Sequence, residues 1–149
     1  MAETLIAIGR ETKKALCLTV MLFLVSCARH KAEEVDAAMQ YYDRLLLKMD
    51  ADSIALIYSA DGELGSAAKG RDSIRNFLSS FKDVKVESQE SHTDSISINV
   101  DSAWQSGTYH QRARLSDKKT VEVKGKFTAK WIWNPKSGWL LKRMDTAPM

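Results

Sequence analysis

The sequence predicts an α+β fold: a cone-shaped roll in which three N-terminal helices pack on a strongly curved antiparallel sheet. Three observations lead there. Apolar residues recur every three or four positions up to Phe81, the period drops to two from Val84 onward, and two long strand-like runs carry internal glycines, Gly107 and Gly125. Helices followed by consecutive hairpins make an α+β domain with an antiparallel sheet. Glycine inside a strand marks a bulge or bend, so the sheet should curl around the helices and leave a cone open at one end.

A leader is expected at the start of the chain. Lys13 and Lys14 precede an apolar run that starts at Ala15 and closes on Leu24-Val25-Ser26-Cys27. At ~1.5 Å per residue, residues 15–25 span only about half of a ~30 Å hydrocarbon core, which fits a secretory signal and not a permanent span. The four closing residues resemble a bacterial lipoprotein box. That resemblance implies loss of residues 1–26, lipidation of Cys27 as the new N-terminus, a tether over 27–32 and one domain over 33–149. More than one acyl chain gives a stable membrane anchor. Ala28 resembles outer-membrane sorting, so the expected location is the bacterial envelope, on the outer membrane facing the periplasm.

Composition narrows the function classes. The chain holds 22 basic and 19 acidic residues; removing the leader takes Arg10, Lys13, Lys14, Glu3 and Glu11 and leaves near balance. Nucleic-acid binding rests on a concentrated basic surface, so no nucleic-acid partner is expected. Cys17 falls in the leader and Cys27 would be acylated, leaving no disulfide and no thiolate metal site in the domain. His30, His92 and His110 fall on the tether, a strand and the opposite strand face, without a carboxylate at ligand spacing. Neither metal nor cofactor is expected. There is no Gly-x-Ser-x-Gly nucleophile and no phosphate-cradling glycine loop.

Val35, Ala38, Met39, Tyr42, Leu45, Leu46 and Met49 give the first helix one apolar face. Asp50 caps a second helix through Ile54, Leu56, Ile57 and Tyr58, stopped by Asp61-Gly62. Ile74, Phe77, Leu78 and Phe81 form the stripe of a third helix after Gly70. Strand-like runs follow over 84–100, with a break expected near Ser91, and over 103–115, 120–133 and 139–146. Asp101-Ser102, residues 116–119 and Asn134-Pro135-Lys136-Ser137-Gly138 supply the turns.

Tyr58-Ser59-Ala60-Asp61-Gly62, Lys69-Gly70-Arg71-Asp72-Ser73-Ile74, Ser106-Gly107-Thr108-Tyr109, Val123-Lys124-Gly125-Lys126-Phe127 and Ser137-Gly138-Trp139-Leu140-Leu141 together resemble the SnoaL-like branch of the nuclear transport factor two-like superfamily. The likeness covers residues 33–145. It implies the cone fold. It also implies, for the enzymes of that superfamily, catalysis by polar groups inside the cone, with histidines often on the last strand. Here Arg143 and Asp145 stand at those positions.

Odd-numbered residues of the 120–133 run are apolar and must face the helices. Placing Trp133 opposite Trp139 sets Trp131 beside Leu141, Ala129 beside Arg143 and Phe127 beside Asp145. A three-residue loop at 117–119, or a compensating bulge, then puts Tyr109 beside Phe127. The expected ligand-binding set is therefore Tyr58, Tyr109, Gln111, Phe127, Trp131, Arg143 and Asp145. Asp145 or Asp61 would serve as acceptor or base, with Tyr109 and Arg143 holding a carbonyl oxygen. Arg143 and Asp145 equally fit an ordinary ion pair. The even face gathers Trp104, Ile132, Leu140 and Met144 within a border of Lys130, Lys142, Arg112 and Arg114, a pattern that fits a protein contact or homodimer. Three readings stand: a lipid-anchored module binding a small apolar molecule or protein segment without catalysis; an isomerase- or dehydratase-type enzyme; and an interaction module acting through the outer sheet face.

Overall fold

A computed structural model describes residues 29–149; the segment expected to be a leader, and Cys27, lie outside the described residues. Helix α1, Ala32–Lys48, buries Val35, Met39, Tyr42, Asp43 and Leu45 along one face. Glu33 and Glu34 in its first turn and Lys48 in its last suit the helix dipole. Asp50 then caps α2, Ala51–Ile57, accepting the Ser53 N–H at 3.1 Å and the Ser53 hydroxyl at 2.6 Å.

The first correction comes here. Helix α2 ends at Ile57, and Tyr58–Leu64 forms a strand, β1, which runs parallel to the last strand with Tyr58 opposite Leu141. A seven-residue helix has little stability of its own, so pairing with the sheet takes Tyr58 and Asp61-Gly62 into strand. A short β2, Ala68–Lys69, folds back on β1, and Gly70, at φ 81, opens α3, Arg71–Ser79, which buries Ile74 and Leu78.

Four long strands complete the chain: β3 Lys85–Asn99, β4 Ser102–Arg114, β5 Thr120–Asn134 and β6 Gly138–Pro148. The six strands lie in the order β2-β1-β6-β5-β4-β3. The sheet is mixed and not purely antiparallel, because β1 and β6 are parallel. Its concave face packs on the helices around Val35, Met39, Ile54, Tyr58, Ile74, Trp131 and Leu141, all at most 2 % exposed. Each such apolar side chain contributes about 1.5–3 kcal/mol by leaving water.

Bulges decide which side chains reach that face. In β3, Val86 pairs with Ala113 and Ser88 with Arg112, then Thr93 pairs with Gly107 and Ser95 with Ser106, so Glu87 and Asp94 are extra residues. The strand continues through Ser91 where a break was expected, and its alternation inverts twice. In β6, Trp131 pairs with Leu141 but Lys130 pairs with Arg143, which makes Lys142 the extra residue. Beyond it the inward positions are even: Met144 opposite Ala129 and Thr146 opposite Phe127.

The β4–β5 turn is one residue earlier than its sequence suggests. The Leu115 N–H donates to the Lys119 carbonyl at 2.8 Å and Lys118 takes φ 66, leaving 116–118 as the loop. Odd residues still face inward, but Tyr109 lies opposite Gly125 and Phe127 opposite Gly107. Each aromatic ring covers a glycine. A Cβ on Gly125 would lie 2.5 Å from Tyr109 Cε1, and one on Gly107 would lie 2.0 Å from the His92 carbonyl oxygen and 2.8 Å from Phe127 Cε1.

Strand β3 is an edge of the sheet, and α1 closes it. The Ser91 N–H and hydroxyl donate to Asp43 at 2.9 and 2.8 Å, and the Thr93 hydroxyl donates to Asp36 at 2.6 Å. Covering an edge and occupying one of its N–H groups hinders pairing with foreign strands. A second polar chain runs deeper: Trp131 Nε1 donates to Gln105 Oε1, and Gln105 Nε2 donates to Thr93 Oγ1, both at 2.9 Å. Every member of that chain finds a partner, as buried polar groups must.

Candidate functional site

Between α1 and the concave face lies a cavity of about 200 Å³. Met39, Tyr42, Asp43 and Leu46 come from α1, and Gln89 and Ser91 from β3. The sheet adds Leu64, Tyr109, Gln111, Phe127, Met144 and Thr146. It is smaller than the roughly 300–1,000 Å³ of pockets for drug-sized ligands, so its occupant is a small molecule or one end of a larger one. A wider groove of about 660 Å³ runs outside it between α1 and β3, past Glu33, Asp36, Gln40, Arg44 and His92.

The polar side of the cavity is organised by Asp43, which is 5 % exposed. Its Oδ1 accepts Gln89 Nε2 at 2.9 Å and the Ser91 hydroxyl at 2.8 Å, and its Oδ2 accepts the Ser91 N–H at 2.9 Å. Burial raises its pKa and outweighs these three hydrogen bonds, with Glu90 nearby adding to the rise. Gln111 Nε2 donates to Gln89 Oε1 at 2.9 Å, extending the chain outward from the carboxylate. Behind this wall the Tyr42 and Tyr58 hydroxyls meet at 3.1 Å. Burial pushes the Tyr42 phenol up to about 12 and Tyr58 well above its ordinary value, so both stay neutral.

Three of the sequence-predicted site residues, Tyr109, Gln111 and Phe127, line the cavity. Tyr58 and Trp131 lie in the core behind it, fully buried. Arg143 and Asp145 do not face it: the extra residue Lys142 turns them to the outer face, where they pair with each other at 2.6 Å and Arg143 also pairs with Glu63. Asp61 is exposed on β1, paired with Lys142 and accepting the Ser59 hydroxyl at 3.1 Å. Neither carboxylate can serve as a base within the cone, nor can Arg143 hold an oxygen there.

Asp43 is the carboxylate that the sequence reading missed. Its signal was present: a charged residue between Tyr42 and Leu45, four positions after Met39 on an apolar stripe. The proposed outer-face contact is also corrected. Met144 sits in the core at 4 % exposure and Leu140 is almost covered, so the patch reduces to Trp104 and the partly exposed Ile132. Trp104 carries Lys130 Nζ 5.3 Å from its ring centre.

At the opposite end of α1, His30 is held against the β5–β6 hairpin. Its ring lies 4.2 Å from Trp133 and 4.9 Å from Trp139, centre to centre. Nδ1 meets Glu34 at 3.2 Å and Nε2 approaches Asp101 at 3.7 Å. The hydrogen bond from His30 holds the Glu34 carboxyl below its usual value.

No protein-family model and no curated protein matches the chain. Solved structures do. A ketosteroid isomerase-like protein from Erwinia carotovora atroseptica superposes with TM-score 0.68 at 16% identity, over 78% of this chain and 95% of that one. ActVI-ORFA from Streptomyces coelicolor gives 0.65 at 18% identity, over 78% and 95%. An NTF2-like protein with a cystatin-like fold from Novosphingobium aromaticivorans gives 0.66 at 17% identity, over 95% of this chain and 92% of that one. The helices, the curved six-stranded sheet and these likenesses together give the chain the cone-shaped α+β fold of nuclear transport factor two-like proteins.

Proposed function

We propose that this protein is a lipid-anchored envelope module whose cone holds a small, mainly apolar molecule without transforming it. The observation that carries the reading is the state of Asp43. Its carboxylate sits in the cavity wall but already accepts three hydrogen bonds that fasten α1 to β3. Both oxygens are engaged in holding helix to strand, so proton transfer would have to use the one lone pair left on Oδ2. What remains for a ligand is an apolar surface from Met39, Leu46, Phe127 and Met144, with Tyr109, Gln111 and Thr146 as polar contacts.

The position of His30 supports an arrangement for the anchor. It lies three positions after Cys27, a reach of about 10 Å, and its clamp lies at the Trp133 end of β5. The cavity lies near Phe127, about 20 Å along that strand at ~3.3 Å per residue. An acylated Cys27 would therefore set the hairpin end on the membrane and leave the cavity toward the aqueous side, reached by water-borne ligands.

The raised pKa of Asp43 favours a second reading, in which Asp43 is the general base of an isomerase- or dehydratase-type reaction. Native mass spectrometry of the protein purified from its own host separates the two. The binding reading expects lipid mass on Cys27 and an added small molecule released unchanged. A ligand converted on incubation, with conversion lost in Asp43→Asn, contradicts it in favour of the enzyme. Absence of lipid mass overturns the anchor.

A further inference from the structure

We infer that the cavity selects ligands presenting a hydrogen-bond donor, a hydroxyl or an N–H, and that Asp43 sets this preference through Gln89 and Gln111. The inference rests on the cavity-binding reading and adds the chemistry of the ligand's polar end. Both oxygens of Asp43 face donors, and a carboxylate only accepts. Gln89 must therefore turn its NH2 toward Asp43, which leaves its carbonyl oxygen toward Gln111. Gln111 in turn must donate with Nε2, as it does at 2.9 Å. Its own carbonyl oxygen, Oε1, is left without a hydrogen bond among the described residues, on a side chain that lines the cavity.

A side-chain amide alone could present either end to a ligand. Here the chain of donors running to Asp43 fixes which end is left free, so a ligand beside Gln111 meets an oriented acceptor. Tyr109, two residues away on the same face of β4, has a hydroxyl that rotates to suit its partner and imposes no such direction. A ligand without a donor leaves Gln111 Oε1 dehydrated and unpaired, and an unmatched buried acceptor is penalised more than a matched one is rewarded. A ligand carboxylate would bring negative charge toward Gln111 Oε1 and Asp43 together. Neutral or cationic donors remain: phenols, alcohols, amines and amides attached to a small apolar body.

The test uses three single-ring probes on the mature protein: p-cresol, 4-methylanisole and toluene, titrated by NMR. The donor p-cresol is expected to bind about tenfold more tightly than 4-methylanisole, the gap that one satisfied hydrogen bond supports. Gln111→Leu should bring the two within about twofold while toluene binding is kept. Asp43→Asn supplies the sharper reading. Its side-chain amide can keep oxygen on the Ser91 N–H and turn NH2 toward Gln89, reversing both glutamines so that Gln111 presents NH2; the preference should vanish or invert. A purely structural role for Asp43 would weaken all three probes alike and leave their order unchanged. Equal binding of p-cresol and 4-methylanisole to the wild type, or an unchanged preference in Gln111→Leu, overturns the inference alone. Failure of all three probes to bind overturns it together with the cavity-binding reading.

Discussion

The Asp43 carboxylate on α1 accepts the Ser91 N–H of edge strand β3 at 2.9 Å, and through that contact the helix closes both the sheet edge and the cavity wall. Removing the carboxylate leaves a buried backbone donor, the Ser91 hydroxyl and the Gln89 amide without their acceptor. Asp43→Ala should therefore destabilise the domain by about 2–3 kcal/mol, read as a lower urea midpoint at unchanged slope. A loss below about 0.5 kcal/mol would contradict a clasp between α1 and β3.

The same carboxyl gives a pH signature. Its folded pKa is raised above the unfolded value, so the native state binds the proton more tightly. Its contribution is greatest below the ordinary carboxylate pKa, falls as pH rises through the raised one, and is flat above. Measured as the wild type minus Asp43→Asn, stability should decline across that acidic window. A difference that grows with pH would mean that the hydrogen bonds outweigh burial. Other carboxylates with lowered pKa values, Asp50, Asp61 and Glu63, act in the opposite direction, and subtracting the variant removes them.

Arg143 and Asp145 should matter little to either the fold or the cavity. They are half-exposed on the outer face, where ion pairs are worth at most about 1 kcal/mol. Arg143→Ala and Asp145→Asn should leave probe affinity within twofold of wild type. Deleting Lys142 is the contrasting case: it removes the bulge but leaves Arg143 opposite Lys130 and Met144 opposite Ala129, so the domain should still fold by circular dichroism, having lost only the Lys142–Asp61 pair. An unfolded deletion variant would contradict Lys142 as the extra residue.

The two covered glycines should differ in tolerance. At Gly125 the nearest obstacle is the Tyr109 ring, which can move, with the Ala147 carbonyl oxygen next at 2.6 Å. At Gly107 it is the His92 carbonyl oxygen at 2.0 Å, part of the neighbouring backbone. Gly107→Ala should lower thermal stability more than Gly125→Ala, each by about 1–3 kcal/mol or more. The reverse order would contradict the close pairing of β3 and β4 at Gly107.

Much of this was legible in the chain. The 3.6-residue period gave α1 and α3, the Asp50 cap gave α2, and alternation in β5 gave the concave face through Phe127, Ala129 and Trp131. Internal glycines announced the curvature. What stayed hidden were the offsets. No residue type marks Lys142 as the extra position, because both Arg143 and Met144 are acceptable strand residues until tertiary packing selects one for the core. A one-residue shift then exchanges the faces, which is how two charges were placed in a cavity they do not touch. The β4–β5 turn carries no glycine to fix its centre, so Tyr109 was paired two residues away from its true partner. Asp43 was visible only as a polar interruption of an apolar stripe, and its acceptor role needed β3 beside it.

The most direct measurement is NMR of the protein carrying 13C-methyl methionine, titrated with p-cresol. Met39 and Met144 line the cavity, while Met49 ends α1 outside it. Saturable shifts of the Met39 and Met144 methyls, with Met49 unmoved, are the predicted result. Shifts at Met49 alone, or no saturable shift at Met39 and Met144, would contradict a ligand-holding cone.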